Sequence, residues 1–222
     1  MSQDFHAAAG PDIPFGTGIF RVARIFCVGR NYAAHAAEMG NEVDRTAPFY
    51  FTKSPVHARL SGAELPYPPG TADLHHEVEY VLALGNGGQI VGSGVGLDMT
   101  RRDLQAEAKA KGRPWDTAKD FEGSAVFGPL RPGEATPDAR IRLSVNGETR
   151  QEAPLSDMVW SPAEIVAHLA TLYTLGPGDL VMTGTPAGVG PVVAGDVLLG
   201  EVDGCDPVTL TITDPVRRPD GS

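Results

Sequence analysis

Apolar residues in this chain recur in short runs, mostly alternating with polar ones, and only a few stretches carry a helical period. Ile141, Leu143 and Val145 alternate with Arg142 and Ser144 and lead into Asn146-Gly147, a pair suited to the positive φ angles of a two-residue hairpin turn. Strands are also predicted over residues 21–28, 77–84, 180–183, 197–202 and 208–213. Thr100 and Asp103 resemble a capping box opening a helix over 101–111, which Gly112 and Pro114 then stop. Ser161, Pro162 and Glu164 open another, with Ile165, Leu169 and Leu172 on one face and Gly176-Pro177 at its end. Residues 1–20, with three consecutive Ala and then Gly10, Pro11, Pro14, Gly16 and Gly18, read as an irregular arm before a single domain over 21–216. The expected class is α+β, mainly β, with two or three helices.

Composition narrows the function. A chain of 222 residues with 41% hydrophobic content can bury the core of one domain. Its formal charge of -10, unbroken by any Lys/Arg block, repels nucleic acid and anionic lipid, so neither is expected as a partner. The apolar runs are too short to cross a bilayer, and the chain opens with Asp4 and His6 instead of a basic leader, so a cytoplasmic protein is expected. Cys27 and Cys205 are the only cysteines, which supports neither a disulfide framework nor a thiolate metal site.

The candidate chemistry lies in carboxylates. On a strand over 77–84, Glu77 and Glu79 point to the same side. Two such charges repel and raise each other's pKa unless positive charge sits between them, and a hard divalent cation with oxygen ligands meets that need. The same alternation would also result if both residues lined the wet face of a half-exposed strand. Asp98 ends an apolar run just before the predicted helix, adding a third carboxylate near a helix start. His75 shares the parity of the two Glu residues and is a conceivable zinc ligand, but three oxygens without Cys suit a harder ion, Mg²⁺ or Mn²⁺.

At Cys27-Val-Gly-Arg-Asn-Tyr-Ala-Ala-His35-Ala-Ala-Glu38, Asp73-Leu-His-His-Glu-Val-Glu79, Gly96-Leu-Asp-Met-Thr-Arg-Arg-Asp103 and Thr183-Gly-Thr-Pro-Ala-Gly-Val-Gly190, the chain resembles the fumarylacetoacetate hydrolase family. The likeness is greatest to its single-domain acylpyruvate and fumarylpyruvate hydrolases. It implies a mixed β-roll or sandwich of packed sheets with peripheral helices, usually a homodimer, with metal ligands at Glu77, Glu79 and Asp98. It also implies a longer segment before Gly96-Leu-Asp than the short Gly-rich connection over 85–94 found here.

The implied activity is metal-dependent hydrolysis of the C–C bond of fumarylpyruvate or a related acylpyruvate, giving pyruvate and a carboxylic acid, as in aromatic catabolism of the gentisate type. A divalent cation would take up the charge of the departing pyruvate carbon. His35 is expected to take a proton from water, oriented by Glu38 three residues on, within a short lid helix that Asn31 caps and Gly40-Asn41 ends. By family position Lys119 contacts substrate or the developing oxyanion, while Arg30 and Gln105 line the pocket. Thr185 is expected to bond the substrate carboxylate in a glycine-rich turn, where Gly184 and Gly188 permit close approach. That turn lacks the Gly-Lys-Ser/Thr ending of a phosphate loop. The alternatives are a 2-oxo acid decarboxylase of oxaloacetate type, which needs no attacking water, and a non-catalytic metal-binding scaffold.

Overall fold

A computed structural model of the chain describes residues 10–38 and 45–216. Two packed sheets form the body. The larger runs in the order Phe49–Lys53, Arg24–Gly29, Asp179–Met182, Val78–Leu84, Ile90–Asp98, Ala125–Phe127 and Ala58–Leu60, with Arg131–Pro132 attached to Ile90–Asp98. Its neighbours are antiparallel except for two parallel pairs, Arg24–Gly29 with Asp179–Met182 and Ala125–Phe127 with Ala58–Leu60. The second sheet has the order Glu148–Pro154, Arg140–Val145, Val197–Val202, Val208–Thr213 and Ala63–Pro66. This is the mixed, mainly β arrangement that the family likeness implied.

The strand Val78–Leu84 is buried on both faces and divides the core. Val78, Tyr80, Leu82 and Leu84 face a cluster shared with Ile141, Leu143, Leu198 and Leu210 of the second sheet. Val81 and Ala83 face a separate cluster with Ile13, Phe20, Ile25 and Met182. Glu79 has the parity of Val81 and Ala83, so it leaves the sheet on this second face, but beyond the strip that apolar residues fill. The wet-face alternative therefore fails: Glu77 and Glu79 are buried.

Several local expectations hold. Asn146 and Gly147 take φ angles of 54° and 81° and join Arg140–Val145 to Glu148–Pro154 as the predicted hairpin. Ser161 caps the helix Pro162–Leu172 with a complete capping box, and Ile165 and Leu169 are buried beneath it, although Leu172 is exposed. The short 85–94 connection closes Val78–Leu84 and Ile90–Asp98 into a tight antiparallel hairpin, turning at Gly87 and Gly88 with positive φ.

Other expectations need correction. Residues 12–21 are no irregular arm: Asp12–Phe15 and Gly18–Arg21 form an antiparallel hairpin that inserts Ile13 and Phe20 into the second cluster. Thr100 does not cap the helix, which spans Arg102–Ala110 and begins after Arg101 without a side-chain cap. Thr100 instead pairs with His75 in a small sheet, and Asp103 accepts from Thr71 Oγ1 and the Ala72 N–H. Tertiary partners have claimed both members of the apparent capping box. Residues 1–9 and the predicted stop at Gly40-Asn41 lie outside the described residues.

The hairpin gives a direct test of this correction. Ile13→Ala, which empties a fully buried site, should cost about 2–5 kcal/mol in urea denaturation. A loss near zero would detach residues 12–21 from the cooperative core.

Candidate active site and metal centre

The site forms where the second face of the large sheet meets the chain ends of several strands. Glu77 lies in the link between Leu74–His76 and Val78–Leu84, and Asp98 ends the neighbouring strand. The Asp98 N–H donates to the Glu77 carbonyl at 2.8 Å, so backbone pairing already holds these two residues together. One oxygen from each of Glu77, Glu79 and Asp98 lies within 4.8 Å of the others, and all three residues are buried. The sequence-predicted trio is brought together in full.

Three buried carboxylates at that distance need positive charge, and the chain supplies part of it. Lys119, on the single turn Asp116–Lys119, donates to Glu77 Oε2 at 2.7 Å, Asp98 Oδ2 at 2.8 Å and Thr100 Oγ1 at 2.6 Å. Lys53 Nζ lies 2.8 Å from Asp98 Oδ1 and contacts the carbonyls of Met99 and Lys119. The Lys53–Asp98 contact is an ion pair without hydrogen-bond direction, which leaves Oδ1 with no directed donor. Arg102 reaches Glu77 Oε1 and also Gln105 Oε1, with its Nε 3.3 Å from His75 Nδ1. His75 thus sits behind Arg102, bonded to Asp73, and belongs to no metal-ligand group among the described residues.

Charge is distributed unevenly over the trio. Burial alone would raise the Glu77 pKa, but the Lys119 and Arg102 cations outweigh it and hold that carboxyl below its usual range. Among the described residues, Glu79 has no cationic side chain in contact, only the Gly184 N–H at 2.7 Å. Burial first, then the charges of Asp98 and Glu77, push its pKa well above the carboxylate range. A divalent cation held by Glu77, Glu79 and Asp98 would supply the charge that Glu79 lacks and would find an undirected oxygen on Asp98. All-oxygen donors of this kind fit a hard ion.

The remaining predicted residues surround one pocket. Arg30, His35, Gln105, Lys119 and Thr185 line it together with Glu77 and Glu79. His35, on the helix Ala33–Glu38, is buried, and its Nδ1 lies 3.4 Å from Glu38 Oε2, the outer limit of a hydrogen bond. Burial holds the imidazole below its usual pKa, against the opposing pull of Glu77 and Glu38. Glu38 in turn accepts the Gly188 N–H at 3.2 Å, which docks the helix on the glycine-rich turn. Asn31 is not the helix cap expected from sequence. Its amide donates to the carbonyls of Thr183 and Trp160 and accepts the Trp160 N–H, fastening the root of the helix to the same turn.

The glycines of that turn also differ from expectation in what approaches them. Gly184 has φ +95°, and a Cβ there would lie 2.7 Å from Asn31 Cβ; at Gly188, φ +94°, it would lie 2.0 Å from the Arg150 carbonyl. Both close approaches are to the chain's own residues. They let the turn reach Glu79 on one side and Glu38 on the other.

Lys53, Arg102 and Gln151 were missed by sequence reasoning. Gln151 is buried on Glu148–Pro154, and its Oε1 accepts from the Val78 N–H at 3.1 Å and faces His76 Nδ1 at 3.0 Å. Its Nε2 donates to Thr185 Oγ1 at 2.7 Å and the Pro186 carbonyl at 2.8 Å. One amide therefore ties the backbone between Glu77 and Glu79 to the Thr185 turn. Its signal was available: Gln151 has the inward parity of Ala153 on an otherwise exposed strand. Arg102 could have been found three residues before Gln105 on the same helical face, whereas nothing local marks Lys53.

Residues 24–213 match the family described as fumarylacetoacetate (FAA) hydrolase C-terminal. A fumarylpyruvate hydrolase from Ralstonia sp is 47% identical over 188 residues, covering 78% of this chain and 98% of that protein. A mitochondrial oxaloacetate tautomerase from Mus musculus is 40% identical over 193 residues, covering 81% and 87%. The crystal structure of fumarylpyruvate hydrolase from Pseudomonas aeruginosa in complex with Mn²⁺ and pyruvate superposes with a TM-score of 0.90 at 40% identity, covering 96% of this chain and 100% of that one. By sequence and by fold, the chain belongs to the fumarylacetoacetate hydrolase family.

Proposed function

We propose that this chain is a metal-dependent hydrolase that cleaves the C–C bond of fumarylpyruvate or a related acylpyruvate to pyruvate and a carboxylic acid. The observation that carries the reading is the buried Glu77–Glu79–Asp98 trio, of which Glu77 and Glu79 line a pocket that also presents a buried histidine. The 47% identity to a fumarylpyruvate hydrolase supports the substrate class, and the relative solved with Mn²⁺ and pyruvate supports both a divalent ion and the product. Either Mg²⁺ or Mn²⁺ suits the donor set.

When bound, the cation supplies Lewis-acid stabilisation of negative charge developing on the 2-oxo acid as the C–C bond breaks. His35 has Nδ1 turned to Glu38, which leaves Nε2 to take a proton from water as its oxygen adds to the distal carbonyl carbon. The electron pair of the broken bond stays with the pyruvate carbon, to which that proton can return. Thr185 accepts from Gln151, so its own O–H is the donor available to a substrate carboxylate. Lys119 fixes the positions of Glu77 and Asp98 and faces the pocket beside them. Gln151 acts through other groups, as a positioning residue.

Action on oxaloacetate is a second reading, favoured by the identity to oxaloacetate tautomerases. It uses the same cation and Thr185 but needs no water to attack a carbonyl. Both readings move a proton, so the products separate the two: only hydrolysis breaks the carbon chain.

Loss of acylpyruvate enol absorbance should require Mg²⁺ or Mn²⁺ and stop on chelation; undiminished turnover after complete chelation would falsify the metal reading. Glu79→Gln should weaken Mn²⁺ binding on the order of tenfold or more by calorimetry, and unchanged affinity removes Glu79 from the ligand set. His35→Ala should cut hydrolysis by about 10²–10⁴-fold while leaving Mn²⁺ affinity near wild type.

The pH profile provides a further check on His35. A base must be neutral, and a folded pKa held below the ordinary value keeps activity present as pH falls past about 6.5. Removing a carboxylate that raises the pKa should move the acid limb of kcat/KM to lower pH still, as tested with Glu38→Gln. A limb moving upward would exclude His35 as the titrating base. Gln151→Leu should leave the Val78 N–H without its acceptor, at a cost of about 1–3 kcal/mol for that group alone in chemical denaturation.

A further inference from the structure

The pocket carries a second charged region away from the carboxylate trio. Arg30 and Lys109 both line it, and among the described residues neither forms an ion pair or a side-chain hydrogen bond. Arg30 is exposed and Lys109 partly buried, and each lies over an aromatic ring. The Arg30 guanidinium lies 5.7 Å from the centre of the Phe49 ring and the Lys109 ammonium 5.7 Å from that of Trp115. The two rings touch, with centroids 4.9 Å apart. One aromatic pair thus supports two cations side by side.

Arg30 is also one of only two described non-glycine residues with positive φ, at 60°, an uncommon conformation for a residue other than glycine. Burial, followed by the positive charges of Arg30 and Arg102, lowers the Lys109 pKa against the opposing charge of Glu77. The neighbouring Arg102 differs because Glu77 neutralises it. Two cations that line a pocket with no carboxylate in direct contact among the described residues are the complement of an anionic group on the ligand.

We propose that Arg30 and Lys109 form a second anion subsite, which receives a carboxylate at the acyl end of the substrate. Resting on the hydrolase reading above, this makes the preferred substrate a dianion, with its 2-oxo acid head at the trio and a second carboxylate at its tail. A mono-anionic acylpyruvate with a methyl end would leave both cations uncompensated. Fumarylpyruvate has the required second carboxylate and acetylpyruvate does not.

The test uses Mn²⁺-loaded wild-type protein, Arg30→Met, Lys109→Met, the double variant and Lys109→Arg, each checked for an unchanged thermal midpoint. The ratio of kcat/KM for fumarylpyruvate to that for acetylpyruvate should fall about tenfold or more in the double variant, chiefly through KM, and Lys109→Arg should restore much of it. A ratio within twofold of wild type overturns the subsite.

Calorimetric binding of fumarate against crotonate, which replaces one carboxylate by methyl, is read without turnover. Fumarate should bind more tightly to wild type and lose that margin in the double variant; equal binding of the two acids to wild type also overturns the proposal. A fumarate margin without hydrolysis of either acylpyruvate would keep the subsite and reject the hydrolase reading.

Discussion

Three carboxylates buried within a few ångströms of one another cannot all ionise without compensating charge, and much of this fold serves to deliver it. Lys53 comes from the end of an edge strand, Lys119 from a one-turn helix and Arg102 from the start of the helix that follows Asp98. Together with Asp98 and Glu77 they form a chain of alternating charges, Lys53–Asp98–Lys119–Glu77–Arg102. Glu79 stands at its side with a backbone N–H alone. A scaffold concerned only with stability would pair all three or replace them by apolar residues of similar volume, and the unpaired Glu79 is the charge that the proposed metal reading uses.

The same constraint explains why the trio was legible and its support was not. Strand parity is local, so Glu77 and Glu79 could be assigned to one face from sequence alone, and Asp98 could be placed beside a helix start. What parity could not decide was whether that face was wet or buried. The answer came from Ile13 and Phe20, whose hairpin covers the neighbouring strip of the same face and had looked like an irregular arm. Lys53 is 46 residues from the Met99 carbonyl it contacts, and Gln151 is 73 from the Val78 N–H it accepts. Contacts at such separations leave no periodic trace.

Thr100 and Asn31 show the converse failure, in which a valid local signal is overridden. Each residue type sits where a helix start would use it, yet Thr100 receives Lys119 and Asn31 binds the Thr183 and Trp160 backbone. A side chain that caps a helix satisfies one donor worth about 1 kcal/mol. Asn31 makes three bonds that join the root of the His35 helix to the turn carrying Gly184. Where a functional turn must be fixed against a buried carboxylate, the tertiary use wins.

The helix Arg102–Ala110 links the two ends of the pocket. Residues 102, 105 and 109 are three and four apart, so they share one helical face. Arg102 holds Glu77 at the trio, Gln105 accepts from Arg102, and Lys109 reaches the aromatic pair away from the trio. A rigid helix of nine residues thereby sets the separation between the carboxylates and the second cationic region, and the spacing is fixed by 1.5 Å of rise per residue. On the proposed reading, substrate length and the position of the breaking bond would be coupled through this one element. On the subsite proposed above, an acyl chain of the right reach would engage Lys109 while its 2-oxo acid head lay at the trio, and a shorter dianion such as oxaloacetate would have to engage one end at the expense of the other.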